Sequence, residues 1–193
     1  MRSPQEEDPD ISVLLERAAQ SDPHAESQLF ERVESELQVI ARGLLKNERA
    51  GHSWQTIDLV NEVAMKLIHA NVLKKNRNRA YFFAAVSRAM RQLLIDHARQ
   101  RSAKKRPQNS VPLDEVLDSL EQEGKIDILE LHDALEELKT MDERKHDVVH
   151  LRFFGGLQFK EIAEYLAVSL PTVERDWRFA QAWLRTAMTP NEE

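Results

Sequence analysis

Between Gln158 and Arg185 the chain reads QFKEIAEYLAVSLPTVERDWRFAQAWLR, two amphipathic helical patterns separated by a turn of only a few residues. This is the sequence form of a helix-turn-helix. Phe159, Ile162, Ala163 and Leu166 recur at helical spacing in the first pattern, as do Val173, Trp177, Ala180 and Leu184 in the second. Each helix therefore has one buried face, and Trp177 is expected inside. Ala167, Val168 and Ser169 make the bend, with Val168 turned into the corner and Ser169 as N-cap of the second helix. Pro171 falls in the first turn, where its missing N–H costs little. The opposite face of the second helix carries Thr172, Glu174, Arg175, Arg178 and Phe179, which reach phosphates and base edges if that helix enters a major groove. Glu174 and Asp176 oppose phosphate attraction, although a carboxylate such as Glu174 can accept from a cytosine amino group.

The rest of the chain is also helical in pattern, so the expected fold class is all-α: two small helical domains joined by a flexible linker, the second ending in the helix-turn-helix. Residues 1–9 read as a disordered tail. Helices are expected at Ile11 to Ala19, at about Ala25 to Leu45 with an inward stripe of Leu29, Phe30, Val33, Leu37, Ile40, Ala41 and Leu44, from Thr56 to about Ile68, and at about Arg79 to Lys105. These make a first domain over residues 10–106. Two prolines, a glycine and many acids interrupt the periodicity over residues 107–125, which read as the linker. The second domain, residues 126–188, has helices at about Ile126 to Lys139, Asp142 to Phe154 and Phe159 to Leu166 before the last one, with Gly155 and Gly156 as a stop signal. No alternating strand pattern and no internal repeat is present.

A formal net charge of -6 is unusual for a nucleic-acid binder, but the charge is unevenly placed. Lys74, Lys75, Arg77, Arg79, Arg88, Arg91, Arg99 and Arg101 belong to a basic run that Asp96 alone opposes, whereas acids dominate from Asp114 to Asp147. The acidic part should weaken DNA binding by the free chain, because it opposes the phosphate attraction behind nonspecific affinity. Tyr81, Phe82 and Phe83 interleave with the basic run, and aromatic rings beside a cationic groove suit single-stranded DNA, where stacking contributes roughly 1–3 kcal/mol per base.

Two further clusters bear on function. In DLVNEVAMKL, Asp58 to Leu67, Asp58, Asn61 and Glu62 share one helical face beside Leu59, an ordinary wet face or a partner-docking surface. HDVVH, His146 to His150, places two imidazoles one turn apart but lacks the glutamate of the HExxH zinc pattern and any evident third ligand, so no metal or other cofactor is expected. There is no cysteine, which excludes disulfides and thiolate metal sites. The acidic, apolar-poor start is unlike a signal peptide, and no apolar run approaches the roughly 20 residues that span a bilayer. A cytoplasmic protein without membrane insertion is expected.

These motifs together resemble the bacterial sigma factors of the extracytoplasmic-function class over nearly the whole chain after the tail. DLVNEVAMKL looks like the family's core-polymerase docking helix, with Asp58, Asn61 and Glu62 on matching positions. YFFAAVSRAMRQLLIDHARQRSAKKR is similar to the melting and minus-ten helix, in which Ile95, Asp96 and His97 reproduce the family's IDH triplet and Ala85 stands where a tryptophan is usual. The loop from Asn71 to Arg79 corresponds to the one that captures a flipped minus-ten base. LRFFGGLQFKEIAEYLAVSLPTVERDWRFAQAWLR resembles the minus-thirty-five reader, with Glu174 and Asp176 in place of basic residues and Trp177 in place of an aliphatic one. The resemblance implies a non-enzymatic specificity subunit whose partners are core RNA polymerase, promoter DNA and, in many members, an anti-sigma factor. A stand-alone helix-turn-helix regulator is the second reading, and would usually dimerise on two half-sites.

Overall fold

The computed structural model describes residues 10–20, 22–46, 56–69, 72, 78–102 and 128–188. Among them are eight helices and no strand: α1 Ile11–Ala19, α2 Pro23–Lys46, α3 Thr56–His69, α4 Arg79–Ser102, α5 Ile128–Met141, α6 Glu143–Gly155, α7 Phe159–Tyr165 and α8 Leu170–Met188. The tail at 1–9, the expected linker at 107–125 and the loop residues Lys74, Lys75 and Arg77 lie outside the described residues.

Local chemistry sets the helix ends. Asp10 caps α1 by accepting from the Ser12 N–H at 2.9 Å. Asn78 does the same for α4, its Oδ1 accepting from the Ala80 N–H at 2.7 Å. Asp142 caps α6 through the Lys145 N–H at 3.1 Å. At the far end of α6, Gly156 has φ of 64° and its N–H returns to the Leu151 carbonyl. A side chain there would be strained by the backbone, and its Cβ would stand 2.8 Å from Ile40 Cγ1.

Helix α2 buries Leu29, Val33, Leu37, Ala41 and Leu44, and α3 buries Leu59, Val60, Val63 and Leu67. Phe30 departs from the expected inward stripe of α2 and is exposed, as are Ile57 and Ile68 of α3. Helix α4 is enclosed over more of its circumference than one amphipathic stripe allows, burying Ala80, Phe82, Phe83, Ala84, Val86, Ser87, Met90, Leu93, Leu94 and Ile95. The reason is its position: α3 packs on it from one side, α6, α5 and α7 from the other. The buried apolar side chains of α1–α4 and α5–α8 consequently form one connected core. The two sets of helices meet along α4 and α6, with a smaller contact between α2 and α6.

Candidate nucleic-acid interface

The hairpin of α7 and α8 is assembled by short-range hydrogen bonds. The Glu161 carboxylate caps α7 by accepting from the Gln158 N–H at 2.7 Å. Arg152 donates to the Leu157 carbonyl at 2.9 Å, and its guanidinium lies over the Phe159 ring. At the corner Ala167 takes a left-handed φ of 54°, and the Val168 N–H returns to the Ala163 carbonyl at 3.0 Å. Ser169 stands at the start of α8, its carbonyl accepting from the Thr172 and Val173 N–H groups and its hydroxyl 2.8 Å from that of Thr172. The Ser169 position thus fits the expected N-terminal boundary, while Val168 is only half-buried.

Val173, Ala180 and Leu184 turn inward from α8. Trp177, expected to be buried, is half-buried, with its ring 5.7 Å from that of Phe159. The place it leaves goes to Asp176, which departs from its expected position on the outer face: it is 1% exposed and bonded to Arg144 of α6 at 2.6 and 3.4 Å. The hydrogen bond and charge of Asp176 raise the Arg144 pKa above its ordinary value. This carboxylate therefore repels no phosphate; it ties the root of α8 to α6. The outer face retains Glu174, Arg175, Arg178 and Phe179, all exposed, with Thr172 half-buried. Lys145 Nζ sits 4.8 Å from the centre of the Phe179 ring, adding a cation to the same face.

The expected melting helix is placed differently from its sequence pattern. Phe82 is fully buried and packs edge-on against Phe83, so it has no ring face to offer a base; its position is core because helices cover α4 on both sides. Tyr81 is half exposed and meets the Tyr165 ring at 4.9 Å. Arg79 is bonded to Glu36 of α2 and Glu161 of α7. Burial opposes its charge, but the two carboxylates outweigh that and hold the guanidinium above its ordinary pKa. Arg91 donates to His132 at 2.8 Å and to Glu136 at 2.7 Å. Arg88 and Arg99 are exposed and His97 half-buried; Arg101 is in the last turn of α4.

On α3, Asn61 and Glu62 are exposed and Asp58 half-buried, so these three do share one outer face. Leu59 does not join it, being fully buried behind the face. Beside Asn61 a shallow groove of about 100 Å³ is lined by Phe30, Val33, Leu37, Ala64 and Ile68. His146 and His150 stack at 5.6 Å against α4, both buried. Among the described residues no group of three or more acids and histidines is arranged to hold a metal ion.

Residues that pattern alone did not single out are the acids meeting α4: Glu36, Glu136, Glu161 and Glu164. Of these only Glu136 lies in the acidic segment between Asp114 and Asp147; the other three stand outside it.

An all-helical chain that ends in a tight hairpin with a cationic, aromatic outer face has the architecture of a DNA-binding transcription protein. The family model described as ECF sigma factor matches residues 8–190. The chain belongs to that family, a non-enzymatic one whose role is transcription initiation. No curated protein and no solved structure gives a significant match. None of the described helices is long and apolar enough to cross a membrane.

Proposed function

We propose that this protein is a promoter-specificity subunit that docks on core RNA polymerase and directs initiation at a two-element promoter. The observation that carries the reading is the outer face of α8, where Arg175, Arg178 and Phe179 stand exposed on a helix whose inner face is anchored by Asp176 and Arg144. A helix held this way presents side chains to a major groove in fixed register. Asp58, Asn61 and Glu62, with the apolar groove beside them, form the surface for the polymerase. Helix α4 and the loop before it hold the minus-ten element and its unpaired strand. Unstacking a base costs a few kcal/mol, and stacking on an exposed ring such as Tyr81 offsets roughly 1–3 kcal/mol of it. No covalent step is required of this chain; polymerisation belongs to its partner.

The test is transcription by purified core polymerase on a library of random promoters, with and without the protein. A defined two-element promoter class that depends on both supports the proposal. Duplex-site selection by the protein alone, with core unaffected, would instead identify a stand-alone regulator.

A further inference from the structure

We infer that the cavity between α4, α5 and α6 is a binding site for a small organic phosphate. The space has a volume of about 410 Å³, within the roughly 300–1,000 Å³ of small-molecule pockets. Its wall takes Arg88 and Arg91 from α4, Lys139 from α5 and His150 from α6. Two carboxylates, Glu136 and Asp147, share the wall, and each is already engaged. Glu136 accepts from Arg91 at 2.7 Å, and Asp147 lies 3.0 Å from His146 Nδ1. No third acid lines the space to answer Arg88 and Lys139. The field inside is accordingly positive. After burial itself, the strongest influences on the His150 pKa are Arg91, His146, Arg88 and Lys139, and each of them lowers it. An anion beside that ring is attracted by the same charges.

Unmet hydrogen bonds narrow the class of anion. Arg91 stands 3.3 Å from His146 through Nη1 and 2.8 Å from His132 through Nη2. Its Nε, like His150 Nδ1, is buried with no partner among the described residues. An arginine Nε–H can only donate, and neutral His150 donates from Nδ1 in one of its two tautomers, so both positions call for an acceptor. Leaving such groups unmet is unfavourable, and a small rotation that brings either onto a bound oxygen is favoured. A carboxylate offers two oxygens in one plane. A phosphate offers three strong acceptors around a tetrahedron and up to two charges, which suits donors that come from three helices. Ile95, Leu151 and the half-buried Tyr165 complete the wall, and an organic body covers that apolar surface where inorganic phosphate alone would not.

Phosphate oxygens also occur along a nucleic-acid backbone, and the enclosure decides between the two sources. Helices α5 and α6 both pack on α4 around the space, and His146 and His150 at its wall are 5% and 7% exposed. A free metabolite fits whole into about 410 Å³. A strand would place a single phosphate there and would have to run out past α5 or α6 on both sides. The ligand bonds α4, α5 and α6 at once, so it binds the folded chain alone and raises its stability by mass action.

Calorimetric titration and thermal unfolding of the full-length protein test the site. The probes are pyrophosphate, which carries the head group alone, and adenosine monophosphate. Malonate and sodium chloride at matched ionic strength are the controls, and a short single-stranded oligonucleotide separates the two sources. Both phosphates should bind saturably with a Kd on the order of 1 mM or tighter and raise the melting temperature beyond the salt control. Arg88→Gln with Lys139→Gln should weaken this binding by about tenfold or more. Lys66→Gln with Lys160→Gln removes the same charge from exposed lysines outside the cavity and should leave it unchanged. Absence of saturable binding by either phosphate, equal binding of malonate, or equal losses in the two double variants overturns the inference. An oligonucleotide that binds through Arg88 and Lys139 while neither small phosphate does would assign the cations to nucleic acid and overturn it as well. Should the first variant melt below wild type without ligand, Lys139→Gln alone decides, since that side chain is exposed on α5. It should bind pyrophosphate several-fold more weakly, and an unchanged affinity would overturn the inference.

Discussion

Lowering the pH from 7.5 to 5 should destabilise this protein by about 2 kcal/mol through His150 alone. The imidazole is 7% exposed, stacks on His146 and lies 5.5 Å from the Phe154 ring. Arg88 and Arg91 face it from α4, and Lys139 from α5. Burial, and then the field of Arg91, push its pKa from 6.5 down to about 3. The folded protein thus keeps the ring neutral at pH 5, whereas the unfolded chain takes up a proton. Because the folded value is depressed, the stability that His150 contributes is complete above pH 6.5 and is lost as pH falls towards 3. Each unit below 6.5 costs about 1.4 kcal/mol, so the loss at pH 5 is about 2 kcal/mol wherever the folded pKa lies well below 5. His132, whose pKa is lowered by burial and then by Arg91, adds a loss of the same sign. Glu136 contributes only at lower pH: burial opposes its charge, but Arg91 outweighs that and holds the carboxyl below its ordinary value of 4.5. Urea unfolding at pH 7.5, 6 and 5 would compare wild type with His150→Phe, which keeps the ring and removes the proton site. The variant should lose about 2 kcal/mol less over this range. Parallel pH dependences for the two proteins would refute the argument, since the ring would then be titrating in the folded state.

Three other substitutions probe the hairpin. Arg144→Ala leaves the Asp176 carboxylate buried without its partner, and should cost about 1.5–3 kcal/mol in chemical denaturation; an unchanged midpoint would mean that Asp176 is solvated. Arg175→Ala should leave the melting temperature unchanged, because the side chain is exposed. It should cost roughly 1–3 kcal/mol in promoter binding and relax one base position in the upstream element; a retained binding-site profile would put Arg175 outside the groove. Ala167→Gly relieves a left-handed backbone and should stabilise by up to about 1 kcal/mol, so a lowered melting temperature would count against strain at the corner.

Much of this architecture was legible because helices announce themselves through one-sided burial. Helix α1 ends where its pattern ends, and the hairpin corner falls at Ala167 to Ser169 as the spacing requires. Periodicity failed where a helix has neighbours on two sides. In α4 it marks Phe82 and Phe83 equally, and only the placement of α3 and α6 shows that both are enclosed. Asp176 was misplaced for a related reason. A carboxylate one residue from a half-buried tryptophan reads as solvent-facing, unless the pattern is joined to Arg144 32 positions earlier. Of the acids that meet α4 only Glu136 lies in the acidic stretch that composition marked, and pairing Arg79 with Glu161 or Arg91 with Glu136 needs the packing of α4 on α5, α6 and α7.

The two oxygens of Glu161 serve different masters. Oε2 caps α7 from within the hairpin, while Oε1 reaches across to Arg79. The bonds that shape the hairpin, from Arg152 to the Leu157 carbonyl and from Arg144 to Asp176, likewise stay within the second set of helices. The hairpin therefore carries its helix cap and its anchoring ion pair within itself, and neither draws on the contact with α4.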